Sequence, residues 1–166
     1  MDLNFALITV ISMVLLLLIF GGVRWFSGSL TRRWNRHKQE TVEQWAAEGV
    51  SFALGPTAIK FSGVESLGSR SPNGVGYALL TDTDLRVTCA LPSTQAWIVT
   101  FRQIKGVALK YRFLGKSAKT DPFVVVRFTK DAETDRLAFQ LKGAAPWAEQ
   151  LAQAARVTLK EGRDDG

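Results

Sequence analysis

Cysteine and histidine are almost missing from this 166-residue chain, which holds one of each, Cys89 and His37. One cysteine excludes an intramolecular disulfide and agrees with a reducing compartment. One histidine and one cysteine cannot assemble the N/S ligand set of a zinc site. Ser–His and Cys–His nucleophile pairs would all have to run through His37, which sits between Arg36 and Lys38 and reads as a solvated residue of a charged segment. Internal repeats and low-complexity tracts are absent as well. Leu114-Gly-Lys-Ser117 ends like a phosphate-binding loop, but position 110, where that pattern needs glycine, is a lysine. Asp82 with Asp84, and Asp131, Glu133 and Asp135, lie where turns are expected and lack the glycine and final glutamate of a calcium loop. No catalytic, metal-binding or cofactor-binding residue is nominated, and the expectation is a chain that is not an enzyme.

What the sequence does have is one long apolar run. Leu3–Val23 contains no charged side chain and only Asn4, Thr9 and Ser12 as polar members. About 21 helical residues at a 1.5 Å rise reach about 31 Å, the thickness of a hydrocarbon core. A backbone in lipid must satisfy its own hydrogen bonds, which makes the run a helix. A cleaved signal peptide would want a basic leader and a small-residue site; Met1-Asp2 and the bulky Trp25-Phe26 supply neither. The expectation is therefore an uncleaved transmembrane helix over 3–26. Arg24, Arg32, Arg33, Arg36 and Lys38 follow the span and nothing basic precedes it, so the N-terminus is expected outside and the remainder in the cytoplasm.

Residues 27–49 read as a basic, amphipathic helical stem, with Leu30, Trp34, Val42 and Trp45 at helical spacing. Arg32, Arg33 and Arg36 give it two readings: a helix pressed on anionic lipid, or a stem packed by its tryptophans on the following domain. The chain is basic, 21 Lys+Arg against 15 Asp+Glu. Much of that excess is juxtamembrane and suits an anionic inner leaflet better than nucleic acid, which is not expected as a partner.

From residue 50 the pattern changes to short β-branched and aromatic runs between turn residues. Seven strands are expected, at about 58–63, 76–81, 85–90, 96–101, 105–111, 123–129 and 136–141. Leu85, Val87 and Cys89 alternate with polar neighbours, so Cys89 reads as a small core hydrophobe. Phe123–Phe128 is apolar on both faces over its first half, as a covered central strand would be. Ser62–Gly74 is the largest expected loop and the likeliest mobile one, and Lys130–Asp135 a longer hairpin loop. Pro146 opens a helix with Trp147, Leu151, Ala154 and Ala155 on one face. Residues 159–166 read as a charged, disordered tail. The fold class is mainly β, a small barrel or sandwich of seven strands over 50–158 capped by a C-terminal helix.

That order of elements resembles a pleckstrin-homology-like domain of the bacterial, GRAM-like kind. The resemblance is carried by Gly76–Val87, Ile98–Phe101 with Ile104–Val107, Phe113–Ser117, Pro122–Phe128, Arg136–Leu141 and Trp147. It implies two packed antiparallel sheets with a helix across one opening, Trp147 and Leu151 plugging the barrel. It also implies a binding module for lipid headgroups, peptides or proteins. Phosphoinositide binders of the wider family carry basic residues around the first hairpin; the matching loop here offers Arg70 against Glu65.

The function expected is thus a single-pass, membrane-anchored interaction or scaffolding module with a protein partner. The alternative is anionic-headgroup binding by the stem and by Arg102–Lys119, a stretch with Arg102, Lys105, Lys110, Arg112, Lys116 and Lys119 and no acid. The plainer reading of that stretch is a solvated hairpin whose charges protect an edge strand.

Overall fold

The structure, a computed structural model, describes residues 51–91 and 94–162 together with positions 13, 36, 43 and 45. The chain divides into two units, residues 1–43 and 44–166. In the first, Met13, Arg36 and Glu43 are helical and exposed. The expected span 3–26 otherwise lies outside the described residues, as do Arg32, Arg33 and the tail beyond 162. Among the described residues no helix is long and apolar enough to cross a membrane.

The second unit is built on one long strand, β1 (Phe52–Val64). Its first part pairs with β2 (Gly74–Thr81) and its last residues with β9 (Glu133–Gln140), with bulges at each change of register. A bulge bends and twists a strand, so β1 serves two directions of sheet at once. β3 (Asp84–Leu91) and β4 (Gln95–Thr100) follow on one side. β8 (Phe123–Lys130) and β5 (Ile104–Lys110) follow on the other. The sheet order is β10-β5-β8-β9-β1-β2-β3-β4, where β10 is Leu159–Gly162. A two-residue hairpin, β6 (Arg112–Phe113) with β7 (Lys116–Ser117), stands apart.

The seven expected strands are all present. Their inward residues make one core, in which Phe61, Leu80, Leu85, Val87 and Cys89 meet Val107, Val124, Val126, Leu137 and Phe139. Helix α1 (Ala144–Ala154) closes it, with Trp147 edge-on to Phe139 at 5.2 Å and Leu151 fully buried. β8 is covered on both faces as its sequence requires: Phe123 and Val125 lie under Phe113 of the small hairpin.

Three expectations are corrected. The tail does not begin at 159: Leu159–Gly162 pair in parallel with Val107–Lys110. Ser62–Gly74 is not a free loop, since Ser62–Val64 complete β1 and Glu65–Arg70 form a 3-10 turn. That turn is tied down by Ser66, whose N–H and hydroxyl donate to Asp135 at 3.0 and 2.6 Å. Arg136 also grips the Glu65 carboxylate there. The Lys130–Asp135 loop shrinks to a two-residue turn, Asp131 and Ala132 at φ 51° and 69° between the paired Lys130 and Glu133.

The β2–β3 part of the sheet is occluded on its outer face too. Tyr77, Leu79 and Thr88 are buried there, and Trp45 is buried with the Arg86 guanidinium 5.7 Å from its ring centre. Trp45, within the expected stem, is buried against this domain. Burial pushes the Tyr77 phenol up to about 12. The unfolded chain releases that proton near 10 and the folded chain holds it longer, so stability present below pH 10 falls as pH rises toward 12. The expected loss is about 2–3 kcal/mol. Denaturant titrations of the wild type and Tyr77→Phe at pH 9.5 and 12 check it: the gap between the two proteins narrows by that amount, whereas parallel curves refute it.

Candidate functional site: a basic groove over β5, β8, β9 and β10

Strand alternation decides which cations of this chain meet. In β5, Val107 and Leu109 face the core, so Gly106, Ala108 and Lys110 face out. Arg127 of β8 stands opposite Gly106, and Arg136 of β9 stands opposite Arg127. β10 sets Lys160 beside Ala108. The turn after α1 adds Arg156. These residues, with Lys105 and Val125, line a cavity of about 460 Å³ that no Asp or Glu borders. Its floor is small because Gly106 and Ala108 occupy it. Arg127 lies across that floor: a Cβ on Gly106 would sit 3.7 Å from its Nη2, which donates to the Lys105 carbonyl at 3.3 Å.

Neighbouring acids are sorted away by the same alternation. Glu161 follows Lys160 but borders a different cavity, of about 490 Å³, with Asp121, Tyr111 and Pro146. Glu65 is already engaged, holding both Nε and Nη2 of Arg136. That hydrogen bonding raises the Arg136 pKa.

Arg156 has an unusual backbone. α1 ends in a Schellman turn, Arg156 N–H to the Gln153 carbonyl at 3.1 Å and Val157 N–H to the Ala152 carbonyl at 2.9 Å. The residue in the left-handed position of that turn is usually glycine; here it is Arg156, at φ 54°. An L side chain in that conformation costs about 1–2 kcal/mol.

The structure takes the Arg102–Lys119 stretch apart. Only Lys105 and Lys110 reach the groove. Arg102, Arg112 and Lys119 are exposed elsewhere. Lys116 is structural: its Nζ donates to the Ser62 carbonyl at 2.6 Å, and burial with nearby Lys60 lowers its pKa. Leu114 and Gly115, at φ 47° and 72°, form the turn of the small hairpin. Of the stem residues, Arg36 is helical and exposed. Two of the turn carboxylates serve the fold: Asp84 pairs with Arg86 at 3.0 Å, and Asp135 holds Ser66. Arg127, Arg136, Arg156 and Lys160 went unseen in sequence because they come from three separate stretches.

No protein-family model matches the sequence, and no curated protein matches it significantly. Solved structures do. The hSac2 domain of the human phosphoinositide phosphatase Sac2 superposes with a TM-score of 0.54 over 76% of this chain and 90% of that one, at 9% identity. The fold is PH-like. Two weaker likenesses, at TM-scores of 0.42 and 0.40, are to an inhibited Vav1 (15% identity) and to the DH/PH domains of PDZ-RhoGEF with RhoA (13% identity). They cover 72% and 62% of this chain and about a third of each larger neighbour. At 9% identity the likeness to the hSac2 domain carries the architecture and not that neighbour's activity.

Proposed function

We propose that this chain is a non-catalytic PH-like binding module, held in the cell membrane by residues 3–26, whose basic groove receives an anionic lipid headgroup. The observation that carries the reading is the convergence of six cations on one cavity without an acid in its lining. Such a surface attracts phosphate oxygens, and guanidinium groups match them in geometry. The apolar run with basic residues after it supports a single span, N-terminus outside and PH-like unit in the cytoplasm. A tether of this kind raises the effective concentration of headgroups at the groove, so modest intrinsic affinity suffices.

The full chain in neutral detergent, examined by native mass spectrometry with short-chain phosphatidic acid or phosphatidylcholine, tests the reading. Selective retention of the phosphatidic acid is expected. Lys110→Glu with Arg127→Glu weakens it by at least about a hundredfold, two charge-assisted contacts at about 1.5–3 kcal/mol each. Equal retention of both lipids, or no effect of the double reversal, contradicts the reading.

A protein partner is the second reading, favoured by one feature. A cavity of about 310 Å³ contains Trp97, and its rim carries the exposed side chains of Leu67 and Ile98. Crosslinking in native membranes, repeated with Ile98→Glu, separates the two: a protein adduct lost in that variant alone belongs to this surface.

A further inference from the structure

Three guanidinium groups border the groove, and two of them already touch protein acceptors. Arg127 donates to the Lys105 carbonyl, and Arg136 is engaged by Glu65. Arg156, like Lys110 and Lys160, has no acidic partner among the described residues. A lysine offers a phosphate a point charge; an arginine offers a planar fork of donors. Arg156 is thus the one fork in the lining with no protein partner among the described residues. It also stands in the left-handed position of a Schellman turn, where glycine would meet no strain and would close the same two backbone hydrogen bonds. Neither the helix nor β10 needs a side chain there.

We propose that Arg156 is the affinity-setting contact of the groove, its charged fork held at a backbone position suited to glycine. This rests on the headgroup reading above and goes beyond it by separating what the residue does for binding from what it does for folding. At most sites loss of binding and loss of stability travel together. Here they part: removing the side chain relaxes the turn and empties the groove.

The test uses the full chain in neutral detergent, titrated with short-chain phosphatidic acid and, in a second arm, with glycerol 3-phosphate. Arg156→Gly is expected to bind at least tenfold more weakly while its melting temperature stays level or rises. Arg156→Ala loses binding equally but is less stable than Arg156→Gly, since it keeps the strained backbone. Arg156→Lys recovers part of the affinity. Lys119→Ala, an exposed cation outside the groove, changes affinity by no more than about fivefold, the effect of one screened surface charge. Preference for the lipid over glycerol 3-phosphate identifies a headgroup as the ligand; equal affinity identifies a free phosphate ester, with the same penalty on losing Arg156. An Arg156→Gly effect no larger than that of Lys119→Ala overturns the assignment, as does a fall in melting temperature that accounts for the lost binding. If the Lys110/Arg127 double reversal weakens binding while Arg156→Gly does not, the groove stands and only the role of Arg156 falls. If the wild type does not distinguish phosphatidic acid from phosphatidylcholine, both fall.

Discussion

Alanine at Gly76 is expected to unfold most of the protein, or to lower its melting temperature by on the order of 10 °C or more. Gly76 lies in β2 opposite Cys89, next to the register shift that separates it from the Val75–Leu91 pair. A Cβ built there would fall 1.7 Å from the Thr88 carbonyl oxygen and 2.7 Å from its carbon. The obstructing atoms are backbone atoms of a strand buried on both faces, so no rotamer change relieves the clash. β2 and β3 must separate, and both carry core residues. The expected cost is at least about 3 kcal/mol, a large part of the stability of an ordinary domain. Gly55→Ala is the control: the chemical change is the same, but nothing lies within 4 Å of the new methyl. There the reduced freedom of the unfolded chain leaves stability level or slightly raised. Chemical denaturation of the two variants checks the contrast, and similar midpoints would refute it.

Trp147→Ala carries the second large effect. Trp147 is 5% exposed and closes the core against Phe139, so truncation leaves a cavity worth about 3–5 kcal/mol. Trp147→Phe is expected to cost far less. The indole Nε1 is buried without a hydrogen-bond partner among the described residues, and such a donor costs about 1–3 kcal/mol. Phenylalanine removes that penalty along with part of the packing, and the two changes largely offset each other. Thermal melts of both variants give the comparison. A phenylalanine variant as unstable as the alanine one would show that the ring volume, not the unsatisfied donor, governs the site.

Much of this architecture was legible before any coordinates. The seven strands announced themselves through alternation such as Leu85, Val87 and Cys89. The double-faced run Phe123–Phe128 correctly marked a covered strand. What escaped was short or non-local. β10 has only four residues, three of them Lys160, Glu161 and Gly162, and its parallel partner lies some 50 positions earlier, so nothing local distinguishes it from a charged tail. Ser62–Gly74 has the composition of a mobile loop, yet Asp135 and Arg136 from the far hairpin hold it.

The basic groove was only half visible for a related reason. A one-signed stretch such as Arg102–Lys119 draws attention because its charges are adjacent in sequence, but a strand sends adjacent residues to opposite sides. Pairing register gathers a different set: Lys110 from β5, Arg127 and Arg136 from β8 and β9, Lys160 from β10. Each is unremarkable in its own segment. Arg156 is legible only once its φ angle is known, because an arginine near the end of a helix is otherwise ordinary.

Locating the ligand tests the central claim most directly. The full chain, embedded in a bilayer containing a photoactivatable phosphatidic acid with the reactive group beside the phosphate, is irradiated, digested and sequenced by mass spectrometry. Adducts concentrated in 105–110 and 156–160, and competed away by glycerol 3-phosphate at high concentration, are the predicted result. Adducts confined to the stem and span, or spread over Arg112 and Lys119 as readily as over the groove, would contradict it.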